Sequence, residues 1–375
     1  MSKIKIAFII SNLGQGGAER QFLELIRNID KSRFNVSVCL YAVNKGVFYD
    51  EIESVENIIF TKKILKHENK LLKILEAIFF IRNYLSKNVF DIVFTSLFMN
   101  GLLVRLAASR RNYKNKVVST IRNSFSIYTP KHIFIEKYFI KRSYIVANSK
   151  SAANDFKAIL KKNINQSRIQ FIYNGYDKNR YYVSEKRKPD EKLIYGNVGR
   201  MTTQKNQIQL LRVFSGQKKD SYKLQIIGSF SDETEKLVSY VDSNGLKNCV
   251  ELIDKVQNIE DYYKGMDIFI LSSFYEGCPN VLFEAMLSKC FCIISKHANS
   301  DGFIINGING YEYDGTDDDL CLVIEITRSV YNTEEGYNII ENGYKYAVEN
   351  FSMEAMVSNY EKLFIDIYEK NQGCN

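Results

Sequence analysis

Along the chain, short and nearly continuous apolar runs alternate with helix-period stretches, and the series restarts once. Lys3–Ile10 (KIKIAFII) reads as a buried parallel strand by its length and flanks. A glycine-rich turn, Asn12–Gly17, follows it. A helix is then expected from about Ala18 to Ile29, with Phe22, Leu25, Ile26 and Ile29 on one face. The pairing recurs through strands expected at 35–41, 91–95, 116–121, 144–147 and 169–173. A polar segment containing Pro189, residues 183–192, interrupts it and reads as a linker. Beyond it, strands are expected at 193–198, 223–227, 250–253, 267–271 and 291–295, and three helical patterns close the chain. Such alternation implies a parallel sheet with helices on both faces. Two series in tandem predict an α/β chain of two Rossmann-like domains facing a cleft, residues 1–182 and 193–350, with a last helix in 351–375.

Composition narrows the class. Apolar residues make up 45% and charged residues 25%, which fits a globular chain. No uncharged apolar run reaches about 18 residues, so no membrane-spanning helix is expected. Lys3 leads straight into a strand, so no signal peptide is expected. The seven cysteines show neither CxxC nor zinc spacing and read as reduced cytosolic thiols.

Charge is distributed unevenly. Residues 1–182 hold 31 basic and 13 acidic residues, a net +18; the remainder holds 20 and 30, a net −10. Between Arg105 and Arg142 lie ten basic residues and one acidic residue, Glu136, interleaved with Tyr113, Phe125, Ile127, Tyr128, Ile133, Phe134, Tyr138 and Phe139. This pattern suits peripheral contact with an anionic membrane surface or a phosphorylated lipid. Nucleic acid is the competing partner for such a stretch; it would leave the chemistry of the second half unexplained.

That chemistry centres on Ser272–Met286 (SSFYEGCPNVLFEAM). It follows the apolar run Asp267–Leu271, turns through Gly277, Cys278 and Pro279, and enters a helical pattern at Asn280, which reads as an N-cap. Backbone N–H groups converge where a strand turns into a helix and can hold a phosphate. Glu276 before the turn and Glu284 within the apolar helix suit hydroxyl recognition, since carboxylates accept hydrogen bonds. Glu284 also needs a partner there. The turns at Gly14–Gly17, Gly199–Asn206 and Gly228–Phe230 reach the same edge of their sheets. Arg200 and Lys205 at one such turn suit a diphosphate.

In this order and spacing, the chain resembles the retaining glycosyltransferases of family 4, which have the two-domain GT-B fold. The residues that carry the resemblance are Gly16-Gly17-Ala18-Glu19-Arg20, Asn174-Gly175, Gly199-Arg200 with Gln204-Lys205-Asn206, Glu276-Gly277 with Glu284-Ala285-Met286, and Asn309-Gly310. The resemblance implies a nucleotide-sugar donor, a glycan or lipid-linked acceptor, no cofactor and no essential metal. It also implies that the last helix crosses back onto the first domain. Arg200 and Lys205 would hold the donor diphosphate and stabilise the departing nucleoside diphosphate. Glu276 would accept donor-sugar hydroxyls and Glu284 the ribose hydroxyls. Gly16, Gly17, Gly199, Gly228 and the backbone of Asn280, Val281 and Leu282 would line the donor. Retention in this family is ascribed to front-face attack.

The chain departs from the family pattern at several places. Arg122 stands where many relatives carry a histidine; it cannot act as a base and would contact an acceptor phosphate. Asp254 stands where a glycine is frequent, Lys289 and Phe291 where Gly and Pro are, and Phe303 where an acidic residue is. The resulting expectation is a cytoplasmic enzyme, peripheral on the inner face of the plasma membrane. It would transfer a hexose or N-acetylhexosamine, from UDP by family frequency, to a polysaccharide precursor. A two-domain nucleotide-sugar epimerase and a non-catalytic scaffold are the alternatives.

Overall fold

In strand β1 (Ile4–Ile10) every residue except Lys5 is buried, as a central strand covered on both faces requires. Ile6, Phe8 and Ile10 face one core and Ala7 and Ile9 the other, following the strand's period of two. The structure is a computed structural model and describes residues 2–14, 16–43, 48–109, 113–121, 129–160, 166–183 and 192–373. It divides into two compact units: Met1–Gly175 with Met353–Asn375, and Tyr176–Ser352.

The first unit runs β1, α1 (Gly17–Asn28), β2 (Phe34–Leu40), α2 (Tyr49–Glu53), β3 (Ile58–Lys62), α3 (Lys70–Lys87), β4 (Ile92–Ser96), α4 (Phe98–Ala107), β5 (Val117–Ile121), α5 (Pro130–Phe139), β6 (Ser143–Ala147), α6 (Lys150–Leu160) and β7 (Ile169–Phe171). The strands pair in parallel in the order β3-β2-β1-β4-β5-β6-β7. Helix α14 (Met353–Gln372) completes this unit from the far end of the chain. Its Met356, Tyr360, Leu363 and Phe364 share a core with Phe8, Phe22, Phe34 and Phe94.

The second unit runs α7 (Lys178–Tyr181), β8 (Leu193–Val198), α8 (Gln207–Ser215), β9 (Tyr222–Ile227), α9 (Thr234–Ser243), β10 (Val250–Ile253), α10 (Ile259–Gly265), β11 (Ile268–Leu271), α11 (Asn280–Leu287), β12 (Phe291–Ser295), β13 (Tyr311–Tyr313), α12 (Asp317–Val330) and α13 (Glu334–Asn350). Its parallel sheet has the order β10-β9-β8-β11-β12-β13. In each sheet the order reverses once, between β1 and β4 and between β8 and β11. Ligands of doubly wound sheets bind at such a reversal, outside the carboxyl ends of the strands.

The units divide ahead of the expected linker, at Gly175 rather than Tyr182. Tyr176 donates from its hydroxyl to Asn280 Oδ1 at 2.7 Å, and the Tyr181 ring packs edge-on against Tyr263. These contacts assign 176–181 to the second unit; residues 184–191 of the linker lie outside the described residues. Elements α2, α7 and β13, of three to five residues, are too short to show a period in sequence.

The basic stretch 105–142 is only partly a surface. Arg105 is buried in α4, where its guanidinium meets the Glu136 carboxylate of α5 at 2.5 and 2.6 Å. Its Nε donates to the Gly101 carbonyl, and its charge lies over the Phe139 ring. Tyr113 and Phe139 are buried too, whereas Phe134, Lys137, Tyr138 and Lys141 are exposed. Phe125, Ile127 and Tyr128 lie outside the described residues, as does Arg122.

Candidate functional site

Three turns of the second unit meet at the reversal between β8 and β11. Gly199 begins the turn after β8; its N–H donates to the Ile227 carbonyl at the end of β9. Gly228, with φ +154°, lies so close that a Cβ there would be 2.1 Å from the Gly199 carbonyl oxygen. Only glycine permits that approach. Met201 N–H donates to the Ser229 carbonyl, joining the two turns. Asp254 Oδ1 accepts from Phe230 N–H and Lys255 N–H. The aspartate that replaces a frequent glycine thus ties down the Gly228–Phe230 turn.

Lys205 lies just ahead of α8. It ends a short 3-10 turn, Thr203–Lys205, and Asn206 follows in the left-handed region at φ 51°, ψ 37° before α8 starts at Gln207. Asparagine tolerates that conformation. The kink leaves the Lys205 stem along Gly199, where a Cβ would be 3.1 Å from Lys205 Cε. Lys205 Nζ meets Glu276 Oε1 at 2.5 Å, and Ser273 Oγ donates to the same oxygen at 2.7 Å. Among the described residues Oε2 of Glu276 has no hydrogen-bond partner. Gln204 sets the register of the two loops: its carbonyl accepts from Phe274 N–H, and its Nε2 donates to the Tyr275 carbonyl. Arg200 is exposed, and among the described residues it pairs with no carboxylate.

Helix α11 carries the second carboxylate. Pro279, not Asn280, is its N-cap residue. Asn280 is the first helical residue, and its Oδ1 is taken by the Tyr176 hydroxyl. The Asn280 N–H donates to Cys278 and the Leu282 N–H to Pro279, so both are turned to carbonyls of the preceding turn. Leu282 is buried and Val281 partly exposed. Glu284 lies on the partly buried face of α11, and desolvation by burial raises its pKa. Hydrogen bonds from Tyr263 and Tyr181 and the charge of Arg180 act in the opposite direction. Tyr263 Oη lies 2.9 Å from Glu284 Oε2.

Gly199, Arg200, Lys205, Gly228 and Glu276 therefore lie on turns at one sheet edge, and Asn280, Val281, Leu282 and Glu284 share α11. Gly16 and Gly17 belong to the first unit. Gly16 precedes α1 in extended conformation and lies under the Glu19 carboxylate; a Cβ there would be 2.3 Å from Glu19 Oε2. Ser273, Tyr263 and Tyr181 are additions from the structure. The need of a buried carboxylate for donors was visible in sequence, but not which side chains supply them. Among the described residues no group of three or more His, Cys, Asp or Glu is placed to hold a metal ion. Asp317, Asp318 and Asp319 form the first turn of α12, as expected for a helix start.

An arrangement of paired Lys and Glu beside glycine turns, with a second carboxylate on the next helix, can bind a diphosphate and hydroxyls together. The known proteins with related sequences are glycosyltransferases. A family profile described as Glycosyltransferase Family 4 matches residues 15–180, and one described as Glycosyl transferases group 1 matches 181–346. The capsular polysaccharide biosynthesis glycosyltransferase CapH of Staphylococcus aureus is 28% identical over 78% of this chain and 81% of its own. An α-1,4-N-acetyl-D-galactosaminyltransferase of Campylobacter jejuni, acting on a diphosphoundecaprenol-linked glycan, is 23% identical over 97% and 99%. Among solved structures, HepE of Anabaena, in complex with UDP and glucose, superposes with a TM-score of 0.80. It has 17% identity and covers 97% of this chain and 100% of its own. A glycosyltransferase of Rickettsia africae reaches a TM-score of 0.83 at 19% identity, covering 98% and 99%. The chain belongs to the family 4 type of glycosyltransferases, with the GT-B fold.

Proposed function

We propose that the protein transfers a hexose or N-acetylhexosamine, with retention, from a UDP-sugar to a lipid-linked glycan precursor. The observation that carries this reading is the Lys205–Glu276–Ser273 group at the sheet reversal. One Glu276 oxygen is held by protein donors, which leaves the other for a sugar hydroxyl. Lys205 and Arg200 neutralise the diphosphate, and more strongly as negative charge grows on it during departure. Glu284 accepts the ribose hydroxyls. The sugar C1–phosphate oxygen bond breaks and a C1–acceptor oxygen bond forms on the same face. The acceptor hydroxyl proton passes to the departing diphosphate oxygen, since an arginine at 122 cannot take it. No cofactor or metal has a part in this scheme. Support for the donor and acceptor comes from relatives: an Escherichia coli relative is described as a UDP-Gal:α-D-GlcNAc-diphosphoundecaprenol α-1,3-galactosyltransferase.

With a lipid-linked acceptor of this kind, the protein would work at the inner face of the plasma membrane. No described helix is long and apolar enough to cross a bilayer. Contact would be peripheral, through the exposed apolar stripe Leu71, Leu75 and Phe79 of α3, flanked by Lys70 and Lys73, and through Phe134, Lys137 and Tyr138 of α5. The test is a melting-temperature screen against UDP, GDP, ADP and their sugars, with Glu284→Ala as control. A ligand that binds only the folded chain must raise its melting temperature. A rise with UDP that is lost in the variant supports the reading. No rise with any nucleotide at millimolar concentration overturns it.

A further inference from the structure

Glu284 is not held by its own helix. Two phenols reach it from other elements: Tyr263 from α10, fully buried, and Tyr181 from α7. Their rings pack edge to face at 6.0 Å and 71°, so each fixes the other. Tyr263 is pinned further by the Phe269 ring and by Cys290 Sγ on its carbonyl. Tyr181 is pinned by Ser288 Oγ, which donates to its carbonyl at 3.0 Å, and its neighbour Arg180 pairs with Glu260 of α10 at 3.2 Å. The segment Tyr176–Tyr181 thus touches α11 at Asn280, Glu284 and Ser288.

A carboxylate offers about four acceptor directions. Two phenolic donors occupy part of them and fix the carboxylate plane, leaving the remaining lone pairs aimed together. A vicinal diol needs two acceptors side by side. We infer that Tyr263 and Tyr181 are positioning residues that orient Glu284 to take both ribose hydroxyls of the donor, and so set the preference for a ribonucleotide. The inference rests on the nucleotide-sugar reading of this site. Neither tyrosine touches the reacting atoms.

The test compares nucleoside diphosphates with their 2′,3′-dideoxy forms by calorimetry. UDP, GDP, ADP and CDP are titrated into the full chain, Tyr263→Phe, Tyr181→Phe, Glu284→Ala and the double variant Tyr263→Phe/Glu284→Ala. Each phenylalanine variant is expected to melt as a folded protein and to bind its ribonucleotide about tenfold more weakly, with dideoxynucleotide affinity unchanged. In the Glu284→Ala background the tyrosine substitution should change nothing. Equal weakening toward ribo and dideoxy forms in both phenylalanine variants would show a structural role only and overturn the inference. So would wild-type affinity in both. A wild-type chain that binds none of the ribonucleotides removes the donor reading itself, and the inference with it. A wild-type chain that binds but ignores the ribose hydroxyls removes the role of Glu284.

Discussion

Lys205 and Glu276 stand 71 residues apart in sequence and meet at 2.5 Å, each from a turn that follows a neighbouring strand. The pair is largely shielded, with 17% and 10% of the two side chains exposed. In the proposed reaction Lys205 faces the diphosphate and Glu276 the sugar. In that scheme the pair would join the two halves of the donor site before any donor arrives.

Lys205→Met should leave the Glu276 carboxylate with the Ser273 hydroxyl as its remaining donor. Removing one partner of a shielded pair costs more than removing both. We expect a loss of about 2 kcal/mol in the single variant, partly recovered in Lys205→Met/Glu276→Gln. UDP affinity should fall at least about tenfold in both, since the diphosphate loses a cation. Urea unfolding and calorimetry check this. A double variant less stable than the single one would contradict the pairing argument.

Gly228→Ala should be among the most damaging single substitutions in the second unit. The added Cβ would collide with backbone, the Gly199 carbonyl at 2.1 Å and the Arg200 nitrogen at 3.2 Å, and φ is +154°. A cost of about 3 kcal/mol or more follows, together with loss of nucleotide binding. Gly216→Ala is the control. It has φ −81° and a single neighbour at 3.7 Å, and should be neutral or stabilising by about 0.5 kcal/mol. Thermal melts of the two variants side by side separate the cases.

The alternation of apolar runs and helical periods made both sheets legible, because a buried parallel strand such as Ile268–Leu271 has no polar face to disguise it. The turns were legible where a backbone constraint demands one residue type, as at Gly228. The site was not legible where a side chain from a distant element completes a group. Tyr263 and Tyr181 are aromatic residues in ordinary helical surroundings, and only the fold brings them to Glu284. The departures from the family pattern became intelligible in the same way. Lys289, at a position where relatives carry glycine, sits at φ +54° and pairs with Glu341 at 2.5 Å. Phe303 is a core residue whose ring lies edge-on to Phe283 of α11, at 5.1 Å.

Arg105→Met should destabilise the first unit by about 3–5 kcal/mol, because it strands the Glu136 carboxylate in the interior. Adding Glu136→Leu should restore most of that loss, since an apolar pair of similar size needs no counter-charge. Melting curves of the three proteins decide it. A double variant no better than Arg105→Met would mean that the packing of Arg105 on Phe139 matters more than its charge.

A chain ending at Ser352 should fail to give folded protein. It would remove Met356, Tyr360, Leu363 and Phe364 and expose Phe8, Phe34 and Phe94, against which Phe364 packs with centroids 5.7 to 6.4 Å apart. The first unit cannot close that core with its remaining helices. A truncated protein with unchanged melting would show that α14 is dispensable.

Glu284 should make the empty protein less stable at neutral pH than it need be. Burial raises its pKa in the folded chain, more than its phenol partners and Arg180 lower it. The folded state therefore binds this proton more tightly than the unfolded state does. The stability from that proton is fully present below the unfolded value of 4.5 and is lost as pH rises through the higher folded value. Giving up that proton as pH rises costs the folded chain stability, while a glutamine of the same shape carries no charge to bury. Glu284→Gln should thus melt higher than the wild type near pH 7 without ligand, and the gap should close as pH falls below 4.5. With saturating UDP the order should reverse, because the ionised carboxylate accepts the ribose hydroxyls better than an amide does. Melting temperatures of both proteins between pH 4 and 8, with and without UDP, give the comparison. A variant less stable at pH 7 without ligand would mean that Tyr263 and Tyr181 more than offset the burial of the charge.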